Sequence, residues 1–151
     1  MDPEDAPAST ASSAADRAVT LNEVLSEVID LVQEVKQAHR KVPETHALHA
    51  ELDQLFADMA TWAQLVVEHD EALGVSPLAT MPSVAGRKPP NLWPGEATDG
   101  AVGSLIDDHL ERLGQHLQAV RTSGQDNARS REIIDDIERG VLQHRNALLQ
   151  L

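Results

Sequence analysis

The chain contains no cysteine and no tyrosine, and only Phe56, Trp62 and Trp93 of its 151 residues are aromatic. Without a thiol, disulfide scaffolds, thiolate zinc sites and cysteine nucleophiles are excluded. So few aromatic side chains argue against a β-sandwich or barrel and favour helices packed by Leu, Val and Ala. Basic residues are scarce too, 12 against 25 acidic ones, for a formal net charge of -13. A surface that negative repels nucleic acid and anionic lipid and attracts cations. No apolar run approaches the length of a membrane span, and no signal peptide is visible, so a cytoplasmic protein is expected. The length suits one domain with a single core.

Residues 1–19 are rich in Ala, Ser, Pro and acid, without regular apolar spacing, and read as a flexible arm. Its only basic residue is Arg17, against Asp2, Glu4, Asp5 and Asp16, so it is a solvated tail rather than a DNA grip. Thr20 with Glu23 fits a capping box at the start of a first helix. Leu21, Val24, Leu25, Val28, Ile29, Val32 and Val35 follow as an amphipathic stripe ending near Val42-Pro43. A second stripe runs through Leu48, Leu52, Leu55, Met59, Trp62 or Ala63, and Val66 to Leu73, with Gly74 as its C-terminal cap. Five prolines and two glycines between 75 and 98 forbid a long helix there and leave room for one short turn around 78–84. A third stripe passes through Val102, Leu105, Ile106, Leu110, Leu113, Leu117 and Val120. After a polar turn, the fourth passes through Ile133, Ile134, Ile137, Val141, Leu148 and Leu149.

The predicted helices thus span about 20–41, 45–73, 99–121 and 128–150. Short joints make the first pair and the second pair antiparallel hairpins, while the long middle connection allows the second and third helices to run parallel. Two hairpins with one long crossover define an all-α, ferritin-like four-helix bundle.

Such bundles often carry an intra-bundle di-iron site built on Glu-x-x-His pairs, but no glutamate here is followed by histidine three positions later. The candidate ligands lie instead around the first hairpin. His39 closes the first helix, His49 and Asp53 share a face of the second, and Gln64 and Glu68 form another such pair. Imidazole with carboxylate suits iron, manganese or zinc better than calcium. A helical rise of about 1.5 Å per residue puts the two pairs roughly 20 Å apart. One helix cannot bring both to one metal; two antiparallel copies facing across a dyad can.

The ordered set Leu21-Asn22, Lys36, His39, Val42, Leu48-His49, Asp53, Glu68, Leu73-Gly74 and Pro77-Leu78-Ala79-Thr80-Met81 resembles the first half of a Dps-type mini-ferritin. That family is also called DNA-binding protein from starved cells. Ala97-Thr98-Asp99-Gly100 and the run from Ile133-Ile134 to Ile137-Glu138-Arg139-Gly140-Val141 extend the resemblance over about residues 20–151. It implies a shell of twelve bundles that oxidises ferrous iron at twofold interfaces, usually with peroxide, and stores ferric mineral inside. The implied ligands are His39, His49 and Asp53 from one subunit, with Gln64 and Glu68 from the facing one.

The resemblance is uneven. Gln64 stands where the family has aspartate, and an amide carbonyl binds iron more weakly and supplies no charge. Arg40 and the region Arg145-Asn146 replace tryptophans, and the joint after Val42 is about two residues short. A cation beside His39 opposes metal binding by like charge. Three readings therefore stand: an iron-sequestering mini-ferritin with ferroxidase activity; a structural shell subunit with a decayed site, alone or mixed with an active paralogue; and a DNA-compacting protein, which the charge disfavours unless magnesium bridges it. The other histidines carry less signal. His46 is an accessory ligand or a solvated first-turn residue; His109 and His116 line an interface or the surface; His69 and His144 point to nothing. Asp107, Asp108, Asp126 and Glu132 line a lumen or pore by family analogy, or simply complement helix dipoles. Trp62 reads as packing, at or near a subunit contact.

Overall fold

The computed structural model describes residues 5–74, 98–123 and 127–151, with side chains from Leu21 onward. These residues form four helices: α1 (Asp5–Lys41), α2 (Ala47–Ala72), α3 (Asp99–Thr122) and α4 (Ala128–Leu149). The short turn expected at 78–84, the crossover containing it, and Asp126 lie outside the described residues.

Side chains of the residues just ahead of the helices set three of the four starts. His46 Nδ1 accepts from the Leu48 amide at 3.1 Å and caps α2. Thr98 caps α3 through the Ala101 amide, and Asn127 caps α4 through those of Arg129 and Ser130. Each satisfies a backbone donor that has no partner within its own helix. Gly74 follows α2 with φ +73°, the left-handed value that glycine adopts without a Cβ penalty, as the sequence predicts. The start of α1 differs from the sequence reading. The helix is already formed at Asp5, so the arm expected over 1–19 is helical from there, and Thr20 with Glu23 lies inside a helix rather than at its start. Alanine-rich sequence, with Ala6, Ala8, Ala11, Ala14, Ala15 and Ala18, has the propensity to continue a helix without an apolar stripe.

Contacts join α1 to α2, α2 to α4, α4 to α3 and α3 to α1. Paired residues give the directions. His39 meets Asp53 across α1 and α2, and Asp58 meets His144 across α2 and α4. Arg121 meets Asp135 across α3 and α4, while Arg145 meets Asp107 at the other end. Glu34 meets His109 and Glu23 meets His116 across α1 and α3. Every neighbouring pair is antiparallel, so α2 and α3 run in the same direction, as expected.

The core is aliphatic and continuous, from Leu21 to Val42 on α1 and its exit, Leu48 to Val66 on α2, Val102 to Val120 on α3, and Ile133 to Val141 on α4. Leu31 occupies the buried stripe of α1, while the predicted Ile29 and Val32 are only partly covered. Leu105 and Leu149, predicted as core, are exposed. No described helix is long and apolar enough to cross a membrane.

Trp62 is packed within the chain, 4 % exposed, against Gly140 of α4 and edge-on to His144. A Cβ on Gly140 would stand 2.5 Å from the Trp62 ring. Helix propensity alone favours Gly140→Ala by about 1 kcal/mol. The overlap costs about 1–3 kcal/mol and outweighs it. Thermal unfolding is expected to show Gly140→Ala less stable than the parent, with part of the loss recovered in the Gly140→Ala, Trp62→Leu double variant.

Candidate metal centre

The last turn of α1 and the first two turns of α2 bring His39, His49 and Asp53 together. On α2, positions four apart share a face, so His49 and Asp53 look the same way. The antiparallel hairpin then sets His39 opposite them. One ligand atom from each of the three side chains lies within 4.8 Å of the other two, the only such group among the described residues. His39 Nε2 is 2.6 Å from Asp53 Oδ1, and His49 Nε2 is 3.9 Å from Asp53 Oδ2. The imidazoles are stacked with centroids 3.9 Å apart and planes tilted by 36°.

Two details suit this cluster to a cation. The His49 Nδ1–H donates to the Val42 carbonyl at 3.2 Å. A carbonyl only accepts, so the neutral ring keeps its lone pair on Nε2, the atom facing Asp53. Backbone carbonyls orient metal-binding imidazoles in this way. His39 Nε2 is buried and, despite its closeness to Asp53, has no hydrogen bond of acceptable geometry among the described residues. A metal ion between His39 Nε2 and the Asp53 carboxylate would satisfy both at once. Two imidazoles and one carboxylate, with open positions beyond them, form a donor set suited to ferrous iron and acceptable to zinc.

Gln64 and Glu68 are not part of this group within the chain. They lie further along α2 and are exposed, with the Gln64 side-chain amide donating to Glu68 Oε1 at 3.0 Å. The structure therefore joins three of the five predicted ligands and leaves two apart. A groove of about 450 Å³ opens beside the three, with Val35, Leu52 and Phe56 among its walls and Lys36 and Arg40 along it.

The remaining histidines have structural partners. His46 is the α2 cap, with Nε2 3.4 Å from Asp99. His109 donates to the buried Glu34 carboxylate. His116 sits between Glu23, at 3.3 Å, and Glu27, at 2.9 Å. His144 donates to Asp58 at 2.6 Å. Asp107 is the partner of Arg145, which it holds in the charged form more firmly through their hydrogen bond, and Glu132 pairs with Arg129.

Sequence reasoning missed one polar cluster altogether. His69 Nε2 and Ser130 Oγ are buried and hydrogen-bonded at 3.0 Å, where the end of α2 meets the start of α4. Beside His69, Asp70 is 0 % exposed, and neither carboxylate oxygen has a hydrogen-bond partner among the described residues. Only its placement four residues past Val66, on the line of the buried stripe, could have hinted at burial. Burial pushes the Asp70 carboxyl up from 3.8 to about 6. Between pH 3.8 and about 6 the folded protein therefore holds a proton that the unfolded chain has released. This contribution is complete below pH 3.8 and is lost as pH rises through about 6, leaving a deficit of order 3 kcal/mol at neutral pH. Asp70→Asn is expected to melt at higher temperature than the parent at pH 7.5, with the difference shrinking as pH falls toward 4; equal shifts at both pH values would contradict it.

The chain matches no protein-family model and no curated protein.

Proposed function

We propose that this chain binds a transition-metal ion through His39, His49 and Asp53, and handles iron as a mini-ferritin does. The observation that carries the reading is the convergence of those three side chains, with the His49 tautomer set by the Val42 carbonyl. The four-helix bundle with parallel α2 and α3 supports the ferritin-like architecture. The donor set leaves positions free for water, an oxidant or a further ligand. In this reading ferrous iron is the substrate, peroxide accepts one electron from each of two ferrous ions, and ferric mineral is kept inside an assembly of about twelve copies. The facing copy's Glu68 and Gln64 would complete the site. The net charge of -13 favours cation accumulation at the protein surface.

A second reading, a structural shell subunit with a decayed oxidation site, is favoured by the groove itself. Arg40 lines it beside the ligands, and Gln64 gives its amide to Glu68 on the same helix.

Calorimetric titration with zinc or anaerobic ferrous iron is expected to show one ion per chain, and His49→Ala should weaken binding at least about tenfold, the usual scale for loss of metal-site support. Unchanged affinity in His49→Ala would remove the site. Ferrous iron with peroxide should then yield protein-bound ferric absorbance in the parent but not in His49→Ala; metal binding without that absorbance would favour the structural subunit. Light scattering is expected to give a mass near twelve chains, and a monomer or dimer would eliminate storage.

A further inference from the structure

The groove beside the metal ligands carries the minority charge of this chain. Acidic residues outnumber basic ones 25 to 12, and several of the arginines, including Arg121, Arg129, Arg139 and Arg145, are engaged by carboxylates. Lys36 and Arg40 are not: neither forms an ion pair among the described residues, although both line the groove. Four residues apart on α1, they share one face, with His39 on the same side one position before Arg40. Lys36 Nζ stands 5.6 Å from the centroid of the Phe56 ring. A cation–π contact of this kind holds the ammonium over an aromatic face while leaving N–H donors free.

The charge around the ligands does not balance. Within one chain a divalent ion on a single carboxylate keeps one positive charge uncompensated, Lys36 and Arg40 add two more, and a facing copy's Glu68 would cancel only one of the three. Three protein ligands also leave the ion coordinatively incomplete. Both deficits call for the same kind of group, a small anion with several oxygens. The guanidinium fork of Arg40 matches such a group through paired N–H donors. A groove of about 450 Å³ has room for a tetrahedral or trigonal oxyanion and its waters.

We infer that this groove binds a small oxyanion of the phosphate or carbonate class, which takes an open coordination position of the metal held by His39, His49 and Asp53, with Lys36 and Arg40 supplying the counter-charge. The inference rests on the metal reading above and deepens it. Metal and anion then bind with positive coupling, and coupling of this sort is reciprocal: each tightens the other by the same factor. It also changes the meaning of Arg40. Alone, that side chain repels the metal; with the anion present, it helps retain it.

The test uses cobalt(II), whose visible spectrum reports its ligands, titrated into the full chain at fixed ionic strength in chloride, phosphate or bicarbonate. Phosphate or bicarbonate is expected to tighten cobalt binding by about tenfold and to change the spectrum, and the stronger of the two identifies the anion. The Lys36→Met, Arg40→Gln double variant should lose both effects. In chloride it should bind cobalt at least as tightly as the parent, because two repelling charges are gone. Equal affinity and identical spectra in all three salts would overturn the inference while leaving the metal site standing. So would an anion effect that survives in the double variant. Absence of cobalt binding in every salt would overturn the metal reading and this one with it.

Discussion

Residues 42–46 join α1 to α2, and their backbone decides where His39 meets Asp53. The Val42 amide closes on the Ala38 carbonyl at 3.1 Å, extending the end of α1, while the His46 amide reaches the Pro43 carbonyl at 3.0 Å. His46 then caps α2 with its own ring, and the Val42 carbonyl takes the Nδ1 proton of His49. One short stretch thus ends a helix, begins another and aims an imidazole. A helix turns by 100° per residue, so inserting or removing one residue here would swing His49 and Asp53 away from His39. The buried stripes of both helices would slip out of the core with them.

The seven histidines show how a chain poor in lysine and arginine uses imidazole as its basic partner. His109 and His116 face the carboxylates of α1, and His144 faces Asp58 of α2. Imidazole suits these seams because its ring packs against aliphatic neighbours while one N–H meets an acid. Arginines take the corresponding place between α3 and α4, where Arg121 pairs with Asp135 and Glu138. Only His39 and His49 converge on one carboxylate, and that separates a candidate ligand set from a set of interhelical ties.

Much of the bundle is legible in the sequence because its information is periodic. The spacing of Leu48, Leu52, Leu55 and Met59 predicts the buried face of α2 directly, and Gly74 predicts its end. The His49 and Asp53 pairing follows from four-residue spacing, and His39 joins it once the hairpin is assumed. The beginning of α1 was not legible, because alanine and serine carry no face preference and a helix can pass through Thr20 without one. The partners of His109, His116 and His144 were hidden for another reason. They depend on which helices lie side by side and at what register, and no single stripe contains that information. Asp70 is the sharpest case, since a carboxylate in a polar-looking run reads as solvated until the packing of α2 against α4 covers it.

The antiparallel order of all four neighbouring pairs has a further electrostatic effect. At the end of the bundle that carries the α1–α2 joint, the starts of α2 and α3 lie beside the finishes of α1 and α4, so the partial charges of the backbone dipoles, about half a unit each, cancel locally. That end cannot act as an anion trap by virtue of its backbone alone. The long-range field of this molecule is left to its side chains, whose excess of carboxylates makes it attractive to cations from every direction, with the patch at Lys36 and Arg40 as a local exception.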